Sequence, residues 1–241
     1  MNYDEIINGD CMVCFKSMQN ESIDLVVTDP PYKITSRGNH GNSGGMLAKK
    51  LSMKGDIFEH NSIDIEDWLC ECYRVLKDGT HCYIMTNNLN LPHYLEVIGK
   101  SDFHFVRLLV WDKRNKIMGV RYMTQTEFIL MLSKGKSRII NDCGTSDLLS
   151  IASTKTKDPY GNNLHDTEKP VELMQVLISN SSNVGEIVLD PFAGIGATLI
   201  AAKRLNRHYV GFEIDENYYK IAKNRINSEY QQKCLFEGYY D

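Results

Sequence analysis

One segment limits what this chain can fold into more than any other. Residues 185–226 read GEIVLDPFAGIGATLIAAKRLNRHYVGFEIDENYYKIAKNRI. A buried apolar run ends at Asp190, a loop with Gly194 and Gly196 follows, and helically spaced apolar residues begin near Ala197. A second apolar run then ends in Glu213, nineteen residues after Gly194. This strand, helix and strand form a βαβ unit, which requires parallel strands with both faces covered. Glycines after the first strand and an acid at the end of the second make a nucleotide-binding layout, the acid being placed for a ribose diol.

The rest of the chain repeats the alternation. Strands are expected at Glu5–Asn8, Asp24–Thr28, Thr80–Thr86, Phe103–Trp111, Glu127–Leu132, Ile187–Asp190 and Tyr209–Glu213, seven in all. Helices are expected at Ile65–Leu76, Leu91–Lys100, Val171–Ser179, Ala197–Leu205 and Glu216–Asn227. The class is therefore α/β with a mostly parallel sheet. At 241 residues, 42% apolar and 24% charged, the expectation is a single domain over 1–241. Two stretches lack periodicity: Thr35–Gly45, rich in glycine and read as a mobile loop, and Ser133–Asp166, in which only Leu148–Ala152 is apolar.

The same composition sets expectations about environment and partners. No apolar run reaches the ~18 residues a membrane span needs, and the start lacks a basic leader with an apolar core, so a cytoplasmic protein without membrane association is expected. The seven cysteines read as reduced thiols. Cys11/Cys14 and Cys70/Cys72 invite a zinc reading, but the second pair has one intervening residue on an expected helix. Core thiols without a metal are the default. Net charge is −4, so any contact with a polyanion must be local. Lys33, Arg37, Lys49, Lys50 and Lys54 lie in a stretch without acids, and seven basic residues between Asp112 and Arg138 face only Asp112 and Glu127. Both are also compatible with solvated loops.

Which nucleotide the βαβ unit would hold follows from what is missing. The third glycine of a dinucleotide fingerprint would fall at Leu199, so a pyrophosphate cradle is poorly supported. S-adenosylmethionine has no phosphate and needs a ribose acid, an apolar slot for adenine and a polar place for its amino-acid end. A glycine turn used only for close packing remains open. A second constellation stands at the other end of the chain, where a buried strand runs into Asp29-Pro30-Pro31-Tyr32. Two prolines stiffen the backbone there and end the pairing. This tetrapeptide suits alkylation of an exocyclic base amine, whose lone pair is delocalised into the ring. The Asp29 carboxylate and the Pro30 carbonyl would each accept one N–H, and the Tyr32 ring would stack on an extruded base. A plain turn is the competing reading.

Together these motifs resemble the amino-group DNA methyltransferases, specifically the β-class, in which the catalytic motif precedes the cofactor loop. The matching segments are Asn8-Gly-Asp-Cys11, Asp24 through Tyr32, Trp111-Asp-Lys113, Thr167-Glu-Lys-Pro170, Leu189 through Gly196, and Glu213-Ile-Asp215. The resemblance implies a Rossmann-like methyltransferase fold with permuted motif order: a seven-stranded, mostly parallel sheet with one antiparallel strand. It implies a catalytic pocket of Asp29, Pro30, Pro31 and Tyr32. The methionine end of S-adenosylmethionine would meet Phe192, Ala193, Gly194 and Gly196 beyond Asp190, with Thr198, Thr167 and Lys169 nearby. Glu213 would hold the ribose, Ile214 would pack on adenine, and Asp10 with Cys11 would meet the adenine edge.

The chain departs from the family at two places. Where many members carry His-Glu, it has Thr126-Glu127, to which no catalytic role is assigned. The usual recognition region is reduced to the 34 residues 133–166. Loop 33–60 and insertion 133–166 are the expected DNA-recognition elements, and so short a region implies a homodimer or a loop that orders on DNA. The expected activity is transfer of methyl to the N6 amine of adenine. The alternatives are the N4 amine of cytosine, and a non-catalytic DNA-binding subunit that keeps the fold.

Overall fold

A computed structural model describes residues 2–31, 63–117, 122–157, 161 and 168–237. The expected glycine-rich loop, loop 33–60, Tyr32, Thr167 and part of 133–166 lie outside the described residues.

The elements run β1 (Glu5–Asn8), α1 (Cys11–Phe15), β2 (Ile23–Thr28), α2 (Ile65–Val75), β3 (Leu76–Thr86) and α3 (Leu91–Lys100). They continue with β4 (His104–Ile117), β5 (Thr124–Ser133), β6 (Leu148–Ser150), α4 (Val171–Ser181), β7 (Ile187–Asp190), α5 (Ala197–Arg204), β8 (His208–Glu213) and α6 (Glu216–Glu237). All strands join one sheet in the order β1-β8-β7-β2-β3-β5-β4-β6. β5 runs antiparallel to both neighbours and every other pairing is parallel, as expected of this fold class.

The sheet has one strand more than the seven expected among the described residues. The addition is β6, three residues paired at the edge with Val110, Trp111 and Asp112. Its apolar run is too short to carry a period, and β4 supplies its ladder. Helix α1 was not expected either: its five residues form because the Asp10 side chain caps them, accepting from Met12 N at 2.7 Å. β4 continues past Trp111 to Ile117, and α6 continues past Asn227.

Each face of the sheet carries its own core. Leu25 and Val27 of β2 pack with Leu173, Leu177, Leu199 and Ile226, and Val26 packs with Phe15, Trp68, Leu69 and Ile98. The alternation places α1–α3 on one face and α4–α6 on the other, as a strand buried on both faces demands. β2 and β7 lie side by side. The chain builds outward from β2 on one side and returns at β7 on the other, so the sheet's switch point falls between them. In open α/β sheets that is where ligands bind.

Candidate active site

Both sequence motifs emerge at this switch point. Asp29 follows the last residue of β2, and the glycine loop follows Asp190, the last residue of β7. Thr28 Oγ1 donates to Asp190 Oδ1 at 2.8 Å, tying the two strand ends together. Asp190 is buried and also accepts from Phe192 N at 3.1 Å and from the Thr198 hydroxyl. Burial raises its carboxyl to about 6, against these donors. Asp190 and Thr198 therefore brace the loop from beneath.

The loop is shaped by backbone that only glycine adopts readily. Gly194 has φ +53° and Gly196 φ +84°. A Cβ on Gly194 would meet nothing within 4 Å, so this side of the loop is open to a ligand, whereas one on Gly196 would stand 3.2 Å from Ala222 Cβ. Ala193 is buried, and its N–H bonds to the Phe212 carbonyl at 2.8 Å. Glu213, at the end of β8, accepts from Gly194 N and Asp215 N, each at 2.8 Å. A carboxylate is an acceptor-only group, the type of group that a ribose diol requires at the end of this loop. Ile214 leaves an apolar side chain 43% exposed next to it, a surface for a purine ring. The open glycine fits the methionine end of S-adenosylmethionine, and the carboxylate at the loop's end fits its ribose.

Asp10 lies at the same edge of the sheet, through the bond from Gly9 N to the Glu213 carbonyl, and its side chain caps α1. Cys11 is buried, and its thiol is pushed up to about 12 by burial and by the charge of Asp10, so it stays protonated. Phe192 packs edge-on against Trp68 of α2 at 5.3 Å.

Around Asp29 the structure assembles more residues than the motifs alone indicate. Lys169 Nζ contacts Asp29 Oδ2 at 2.7 Å and Glu127 Oε2 at 3.3 Å, and Lys113 Nζ donates to Glu127 Oε1 at 3.0 Å. Glu127, left without a role on sequence, thus belongs to the site. Its signal was present: it is the only acid between Lys113 and Arg138. Burial raises the Asp29 carboxyl and the Glu127 charge adds to this, while Lys169 opposes both. For Glu127 burial also raises the pKa, but the two lysines outweigh it and hold the carboxyl below its ordinary value.

Among the described residues, Asp29 Oδ1 and Thr86 Oγ1 are buried without a hydrogen-bond partner, and Glu127 Oε2 has an ionic contact with Lys169. They stand at the ends of β2 and β3 and near the start of antiparallel β5, on the carboxyl edge of the sheet. Unmet buried acceptors are costly, and the Asp29 and Thr86 oxygens at one edge are available to a polar ligand. Pro30 and Pro31 follow Asp29 there, Pro30 buried. Among the described residues the grouping with metal-compatible geometry contains no cysteine; it is Asp64, Glu66 and His93, whose Asp64 already caps α2. No helix among the described residues is long and apolar enough to cross a membrane.

A family model described as DNA methylase, of N6/N4 type, matches residues 23–224. The type II methyltransferase M.HinfI of Haemophilus influenzae is 30% identical over 92% of this chain and 67% of its own length. M2.DpnII of Streptococcus pneumoniae is 29% identical over 93% and 90%. Among solved structures, the M1.HpyAVI–SAM complex superposes with a TM-score of 0.66 at 22% identity, covering 92% of this chain and 98% of that one. The cytosine-N4-specific PvuII DNA methyltransferase superposes with a TM-score of 0.69 at 18% identity, covering 95% and 91%. At these identities the two structures establish a shared fold.

Proposed function

The chain belongs to the DNA methylase family of N6/N4 type, and from that premise we propose that it transfers a methyl group from S-adenosylmethionine to the exocyclic N6 amine of adenine in DNA. The observation that carries this reading is the juxtaposition at the switch point: Asp29 and the glycine loop leave adjacent parallel strands whose ends are joined by the Thr28–Asp190 bond.

When bound, S-adenosylmethionine supplies the methyl group on a sulfonium that leaves as a neutral thioether. The protein's task is to make a poor nucleophile react in line. Asp29 Oδ1, buried and without a partner, accepts one N–H of the amine, and the Pro30 carbonyl accepts the other. Together they draw the nitrogen towards tetrahedral geometry and aim its lone pair. These contacts strengthen as positive charge builds on nitrogen, so they act on turnover more than on binding. The surplus proton of the methylated nitrogen passes to Asp29, whose carboxyl is raised by its buried setting.

Tyr32 stacks on the extruded base, Glu213 holds the ribose, Ile214 packs on its adenine, and Gly194 leaves room for the methionine end, with Thr167 nearby. The chain acts as one catalytic unit over 1–241 without a metal, with 33–60 and 133–166 as its DNA-reading elements, as a homodimer or through ordering of a loop. Intact Asp29, Gly194 and Glu213 support an active enzyme over a binding subunit. Incubating the protein with methyl-labelled S-adenosylmethionine and, in parallel, DNA, RNA and protein tests the assignment. Label is expected in DNA alone, and label confined to RNA or protein would contradict it.

A further inference from the structure

We propose that Glu127 is a positioning residue: clamped between Lys113 and Lys169, it fixes Lys169 on one oxygen of Asp29 and so reserves the other for the substrate amine. The inference rests on the reading of Asp29 given above and adds a residue that touches neither substrate nor cofactor.

Four side chains from four places in the sequence form a line of alternating charge. Lys113 Nζ lies 3.0 Å from Glu127 Oε1, Glu127 Oε2 lies 3.3 Å from Lys169 Nζ, and Lys169 Nζ lies 2.7 Å from Asp29 Oδ2. Both lysines are more than nine-tenths buried, where an ammonium is tolerated only beside counter-charges. Glu127 faces both of them.

The backbone makes a detour to build this line. β4 and β5 pair regularly from Arg107 opposite Met131 to Asp112 opposite Thr126, and the next pair is Ile117 opposite Thr124. The extra residues on β4 form a bulge, with Arg114 at φ +55°, and bulges beside active sites re-aim side chains. Here Lys113 is buried while Arg114 and Lys116 are exposed.

The consequence falls on Asp29. The last torsion of an aspartate is broad, so the carboxylate can exchange its two oxygens unless something holds one of them. Lys169 holds Oδ2, and Oδ1 is left buried with no partner. A lysine on a flexible four-carbon stem is a poor clamp alone. Its contact with Glu127 constrains its direction, and Lys113 holds Glu127 in turn.

The test is steady-state methylation by Glu127→Gln and by the double variant Lys113→Met/Glu127→Gln, with cofactor affinity by calorimetry and folding by thermal denaturation. Misplacement of about 1 Å at a reacting group costs on the order of a hundredfold. In Glu127→Gln, kcat should therefore fall about ten- to hundredfold, with KM for DNA and Kd for S-adenosylmethionine within about threefold of the native protein. The double variant removes the lysine that Glu127→Gln leaves uncompensated, and its kcat should stay equally low. If the single variant does not fold, the double variant carries the test. Three results would overturn the proposal: kcat within about twofold of native in a folded variant, recovery of native kcat in the double variant, or a loss confined to cofactor affinity. Asp29→Ala is measured beside them. Full turnover there would instead refute the role of Asp29 on which the proposal stands.

Discussion

Glu213 carries two loads. Its oxygens accept the backbone N–H groups of Gly194 and Asp215, and it is the acid proposed to hold the ribose diol. Glu213→Ala should weaken S-adenosylmethionine binding by about ten- to hundredfold, as expected for loss of hydrogen bonds to a charged group, and should lower the thermal midpoint as well. Calorimetry showing native affinity in the folded variant would remove Glu213 from the cofactor site. Asp29 yields a prediction in pH. Its carboxyl is raised by burial, and the charged form is needed to accept the amine N–H, so kcat should fall on acidification at a pH above the ordinary aspartate range. Lys169 works against this shift. Lys169→Met should therefore move the acid limb of the kcat profile to still higher pH, and a limb that stays in place would show that Lys169 does not set the charge of Asp29. Asp29 and Glu213 are legible in the sequence because their chemistry demands an acid at the end of a buried strand or directly after it. The pairing of Glu127 with Lys113 and Lys169 is not legible there, because it depends on a bulge and on a lysine that follows a segment more than thirty residues long.

At the scale of elements, two clips hold the glycine loop. One is the Thr28–Asp190 bond between strand ends. The other joins helix to loop: Arg225 of α6 donates to the Ile195 carbonyl at 2.7 Å and pairs with Glu168 at 2.7 Å, and Glu168 also accepts from Thr156 N and Thr156 Oγ1. Neighbouring residues thus serve two sites, Glu168 facing the cofactor loop and Lys169 facing Asp29. Arg225→Met would leave Glu168, which is 8% exposed, buried without its counter-ion, at a cost of about 3–5 kcal/mol. Denaturant titration should read that loss. Gly196→Ala would force a side chain into left-handed backbone against Ala222. It should cost about 1–2 kcal/mol and lower the thermal midpoint by about 2–4 °C per kcal/mol in a chain of this size. The long elements were readable because each has a continuous apolar period. α1 and β6 were not, since five and three residues give no period, and a cap and an edge strand decide them.

For the whole molecule, the sheet order explains why motifs at opposite ends of the chain belong together. β2 and β7 are far apart in sequence and adjacent in space, so the catalytic motif can precede the cofactor loop without changing the site they share. How DNA reaches that site is an electrostatic question, because the net charge is −4. Neutralising Lys49, Lys50 and Lys54 together should flatten the salt dependence of DNA binding, by about 0.9 in slope for each duplex phosphate that these lysines neutralise. An unchanged slope would shift DNA binding to the basic stretch between Asp112 and Arg138. Methylation of the N6 amine of adenine by this geometry is read from the product itself. DNA treated with the protein and methyl-labelled S-adenosylmethionine is digested to nucleosides and separated by chromatography. Label is expected in N6-methyldeoxyadenosine. Label in N4-methyldeoxycytidine, or DNA recovered without label, would contradict it.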